Sequence, residues 1–75
     1  TYRREAILYA ASRIRGQVDS ITWQAFWKTA VEGITAAEAA RSLGISIGSV
    51  YAARSRVMKR VRDQIALMLE YDDEL

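Results

Sequence analysis

The chain has 75 residues, a net charge of +2, and no Cys, His or Pro. That length allows one domain, whose core supplies only about 3–5 kcal/mol. The missing residue types exclude disulfides, thiolate or imidazole metal sites and a histidine general base, and no apolar run reaches the roughly 20 residues that span a bilayer.

Glycine punctuation divides the sequence into four helical segments. The first is expected from about Arg3 to Arg15, with Ala6, Ile7, Ala10, Ala11 and Ile14 on one apolar stripe. Gly16 follows as its expected C-terminal cap. The second should start at Asp19 or Ser20, either of which caps a helix, and end at Gly33. Trp23, Phe26, Trp27, Ala30 and Val31 fall on one of its faces. Core packing is the reading for these aromatics; a base-stacking platform would need them exposed. The third helix is short. Thr35 and Glu38 have the spacing of a capping box, in which each side chain satisfies the other residue's backbone N–H. Ala36, Ala39, Ala40 and Leu43 make its inner face, Gly44 stops it, and Ile45 tucks back after the cap. The fourth begins at Ser46 and runs to about Glu70 on a stripe of Val50, Val57, Val61, Ile65 and Met68. Its end would project or dock on the first helix.

Charge is separated along the chain. From Ser46 to Arg62 the charged residues are Arg54, Arg56, Lys59, Arg60 and Arg62, with no acid among them; from Asp63 onward they are all acids. A basic block on one helix is either a phosphate footprint or a solvated face.

Thr35 to Arg62 therefore reads as a capped helix, a tight turn and a basic helix, the arrangement of a helix-turn-helix whose second helix lies in the major groove. The expected fold is an all-α, small four-helix domain: a three-helical core with the helix-turn-helix at 35–62, plus an N-terminal helix, within a single domain 1–75. Ser46 is a capping residue with no Glu three positions on, so free N–H groups and the positive end of the dipole can face a phosphate, with Ser46 and Ser49 adding hydroxyls. An ordinary capped start is the alternative. Rotating about 100° per residue from Val50 turns Ala52, Ser55, Arg56, Lys59 and Asp63 outward, with Tyr51 and Arg62 on one flank and Arg60 on the other. Tyr51, Ala52 and Ser55, nearest the helix start, are the candidates for base contact; the Tyr51 ring and Ala52 suit a thymine methyl and Ser55 a hydrogen bond. Arg54, Arg56 and Lys59 are the candidates for phosphates. Arg54 falls within the apolar stripe, so it must snorkel outward or pair with an acid.

The string Glu32-Gly33-Ile34-Thr35-Ala36-Ala37-Glu38-Ala39-Ala40-Arg41-Ser42-Leu43-Gly44-Ile45-Ser46-Ile47-Gly48-Ser49-Val50 resembles region 4 of bacterial RNA polymerase sigma factors, most closely the extracytoplasmic-function type. The likeness continues through Ser55-Arg56 and Lys59-Arg60-Val61-Arg62 and covers about residues 20–62. It implies recognition of the −35 promoter element in duplex DNA, a contact with the flap of the polymerase β subunit, and in many members an anti-sigma factor. It also implies that Ser46, Ser49, Tyr51, Ala52, Ser55 and Arg56 lie at DNA, with Thr35 and Arg41 near its backbone. The sequence departs from the pattern at Arg54, where an apolar residue is usual, and at Tyr51 and Ala53, often basic, so base preference does not carry over.

Two other readings compete. One is a LuxR-type or other helix-turn-helix regulator, which would be a dimer on a palindrome. The other is a protein-interaction module for an anti-sigma factor or polymerase. No catalytic residue is assigned, because the carboxylates are scattered and no nucleophile–base pair exists; the chain is not expected to be an enzyme, and no metal or cofactor site is expected. With no signal peptide or membrane span, a cytoplasmic monomeric module is expected, and a start at Thr1 suggests a piece of a longer protein.

Overall fold

The computed structural model describes the backbone of residues 2–73 and the side chains of residues 4–69. Four α-helices follow in order: α1 (Tyr2–Ile14), α2 (Ser20–Phe26), α3 (Ala36–Leu43) and α4 (Ile47–Asp73). Among the described residues there is no strand. A 3₁₀ turn (Arg15–Gln17) follows α1, and a π-helical turn (Trp27–Val31) continues α2. Among the described residues no helix is long and apolar enough to cross a membrane.

α4 is the axis. Its 27 residues span about 40 Å at 1.5 Å per residue, close to the 46 Å long dimension of the molecule. The other three helices pack along it. One buried cluster joins Ala10, Ala11 and Ile14 of α1, Trp23 and Phe26 of α2, and Val57 and Val61 of α4. The second joins Ala25, Ala39, Ala40, Val50 and Ala53, with Leu43 and Ile45 against it. Four of its five buried residues are alanines, so α2, α3 and the front of α4 meet with little side-chain bulk between them. The far half of α4 docks on α1: Ala6 and Ile7 line one apolar groove with Met58, Val61, Ile65, Met68 and Leu69.

Caps fix where the helices start. The Thr22 N–H donates to Asp19 Oδ1 at 2.7 Å, which makes Asp19 the N-cap of α2. The Glu38 N–H donates to Thr35 Oγ1 at 3.1 Å. Only this half of the expected capping box forms, because no bond from the Thr35 N–H to the Glu38 side chain occurs among the described residues. Gly44 adopts φ +69°, and the Ile45 N–H reaches back to the Ala40 carbonyl at 3.0 Å. A left-handed residue is what that reversal needs, and glycine adopts it without a Cβ clash.

Several boundaries differ from the sequence expectation. Gly16 does not cap α1: the chain tightens into the 3₁₀ turn and leaves it through extended Val18. α2 does not run as one α-helix to Gly33. The π-helical turn inserts a surplus residue, so positions after Trp27 rotate relative to an α-helical count. Ala30, expected in the core, is exposed, while Ala25 and Thr29 are buried. The Thr29 hydroxyl is satisfied by the Ala25 carbonyl at 2.7 Å. Trp23 and Phe26 are core residues, and Trp27 and Val31 pack partly buried against them. α4 extends past Glu70 to Asp73, but the side chains of the acidic residues Glu70, Asp72, Asp73 and Glu74 lie outside the described residues.

Candidate nucleic-acid interface

The front of α4 is presented by the short helix and tight turn before it. α3 is anchored through Ala39 and Ala40, Gly44 reverses the chain, and Val50 and Ala53 seat the new helix in the same cluster. The Ser46 hydroxyl oxygen accepts the Ser49 N–H at 3.0 Å, and the hydroxyl donates to Ser49 Oγ at 2.9 Å. The Ser46 hydroxyl thus caps α4 through the Ser49 N–H and also bonds the Ser49 hydroxyl. The N–H groups of Ile47 and Gly48 have no acceptor among the described residues. They are the free first-turn donors that every α-helix leaves, at the positive end of the dipole.

Every residue assigned to this interface from the sequence is exposed: Thr35, Arg41, Ser46, Ser49, Tyr51, Ala52, Arg54, Ser55, Arg56 and Lys59. The structure separates them into groups. Tyr51, Arg54 and Ser55 line one shallow surface depression together with Met58 and Arg62. Arg54 therefore reaches solvent instead of the core. Its azimuth lies near the buried stripe, but α1 packs on α4 mainly from Val57 onward, so nothing covers that flank.

Arg56 and Arg60 lie on the other side, toward the connection between α1 and α2. Arg60 Nη1 donates to Gln17 Oε1 at 3.0 Å. Asp19 is held below the ordinary carboxylate value by the Thr22 backbone N–H first, then by the Thr22 hydroxyl, with the Arg56 charge adding to the effect. The basic block is thus divided: Arg54 and Arg62 share the open depression with Tyr51, while Arg60 bonds the α1–α2 connection and Arg56 faces the same side. Thr35 is exposed, but its hydroxyl oxygen already accepts the Glu38 N–H.

Three residues of this surface were not singled out as contacts in the sequence. Arg62 and Met58 line the depression, and Ile47 is 48% exposed in the first turn of α4. The helical rotation alone signals Arg62, which falls beside Ser55. Ile47 carries no such signal, because an isoleucine after a cap reads as a core residue.

No protein-family model, curated protein or solved structure matches the chain.

Proposed function

We propose that this chain is a helix-turn-helix module of the sigma-factor region 4 kind, which reads the −35 element of promoter DNA and so directs RNA polymerase to initiate transcription. The observation that carries the reading is the front of α4. Tyr51, Ala52, Arg54, Ser55, Lys59 and Arg62 are all exposed there, and no acid interrupts the charged residues between Ser46 and Arg62. The preceding short helix and left-handed glycine turn support the reading, because they come in the order that a helix-turn-helix has before its recognition helix. Tyr51, Ala52 and Ser55 face bases, and Arg54, Arg56, Lys59 and the open N–H groups of the first turn hold phosphates. The motif from Glu32 to Arg62 points to promoter DNA in particular.

Binding to duplexes enriched from random DNA tests this reading. If five phosphates are neutralised, log K falls against log salt with a slope of roughly −4 to −5. A response flat in salt overturns it.

The protein-interaction reading has one observation of its own. Ala6, Ile7, Met58, Val61, Ile65, Met68 and Leu69 line an apolar groove, and Leu69 in it is 51% exposed. The groove begins at Met58 and Arg62, which also line the Tyr51 depression, so a polymerase or anti-sigma segment seated there would adjoin the proposed DNA surface.

A further inference from the structure

The DNA reading leaves open how the first two turns of α4 distinguish bases. Bidentate readout uses Arg or Lys on guanine and Asn or Gln on adenine. None of these occurs from Ser46 to Ala53. The Ser46 hydroxyl is committed to Ser49 as both donor and acceptor. Gly48 has no side chain, and Val50 and Ala53 are buried. Apart from the Ser46 and Ser49 hydroxyls, which bond each other, these turns expose Ile47 at 48%, Tyr51 at 56%, and Ala52. Ile47 and Tyr51 are four residues apart and so stack one turn above the other. Single exposed apolar residues are ordinary on any protein surface. A stacked pair at the entry of a helix whose following turns carry Arg54, Arg56, Lys59 and Arg62 has a more particular meaning. In the major groove, a base pair offers one apolar feature, the methyl group on C5 of thymine.

We propose that Ile47 and Tyr51 read thymine methyl groups, so that the preferred duplex is recognised at those positions through the methyl and not through hydrogen bonds. This rests on the DNA reading, with Arg54, Lys59 and Arg62 fixing the helix to phosphates.

Deoxyuridine tests the idea because it lacks only the methyl and pairs as thymidine does. Duplexes enriched from random DNA by this chain would be resynthesised with single thymidines replaced by deoxyuridine, position by position. At one or two positions the replacement should weaken binding about fourfold, the ratio expected from burying one methyl-sized group. Ile47→Ala should bring the thymidine-to-deoxyuridine ratio at one of those positions toward one; circular dichroism would check its fold. Salt-dependent binding with equal affinity for every deoxyuridine duplex overturns methyl readout and leaves the DNA reading standing. An unchanged ratio in Ile47→Ala removes Ile47 from the contact. Absence of duplex binding overturns the DNA reading and this inference with it.

Discussion

Arg54 separates two properties that a helical projection merges, azimuth and burial. It lies at an angle close to the buried valines, yet it is exposed because no helix covers α4 on that flank. Its removal should therefore leave stability within about 0.5 kcal/mol of the parent. If it holds a phosphate, Arg54→Ala should weaken duplex binding across sequences and reduce the salt slope by about 0.9. Titration of binding against salt, beside urea unfolding, checks both. Asp19 makes the opposite kind of residue-scale prediction. Its carboxylate is held below its ordinary 3.8 by the Thr22 N–H, the Thr22 hydroxyl and Arg56. A carboxyl with a lowered folded-state value stabilises the fold above its unfolded value and loses that contribution as pH falls through the folded one. Thermal unfolding should thus show stability declining below about pH 4, and Asp19→Asn, which can still cap, should flatten that decline. The sequence narrowed the cap of α2 to Asp19 or Ser20, and the structure selects Asp19. The influence of the Arg56 charge on it was not visible in the sequence, because that depends on how α2 and α4 pack, which no local pattern encodes.

At the scale of elements, the starts of helices were legible and some of their ends were not. Ser, Thr or Asp before a helical stripe marks a start through its own side-chain chemistry, and Asp19, Thr35 and Ser46 all do so. Gly44 was legible as a stop for the same reason, since its φ of +69° suits glycine. Added bulk at Gly44 would meet nothing within 4 Å, so Gly44→Ala should cost only the left-handed strain, about 1–2 kcal/mol in urea unfolding. The π-helical turn was invisible because an i→i+5 register has no sequence period of its own, and it moved Ala30 outward and Thr29 inward. Gly48 offers a sharper test of an element's purpose. A Cβ there would meet only Ser46 Oγ, at an ordinary 3.9 Å. Packing therefore gives no reason for glycine inside α4, and Gly48→Ala should stabilise the helix by about 0.5–1 kcal/mol. On the DNA reading the same change should weaken duplex binding, because a methyl then stands where the backbone approaches the groove. A variant that is more stable and binds as well as the parent would count against Gly48 at the interface.

The whole molecule is a small core strung along one helix. With no disulfide and about 3–5 kcal/mol to spare, the fold depends on few side chains. Phe26 is 1% exposed and lies in the cluster that joins α1, α2 and α4. Phe26→Ala should cost about 3–5 kcal/mol, enough to bring the folded and unfolded populations near parity at 25 °C by circular dichroism. The all-helical architecture was legible from glycine spacing and apolar stripes. The way the basic block divides between an open flank and the α1–α2 connection was not, because it follows from packing. That division rides on α4, which continues unbroken from Ile47 to Asp73. Tyr51 and Leu69 are 18 positions apart on it, which is five whole turns and about 27 Å along the axis. They therefore share one bearing around the helix, like two cams keyed to the same shaft. Whatever seats in the apolar groove is held in fixed phase with whatever lies against Tyr51, and an insertion of two residues between them would turn one station about 200° from the other.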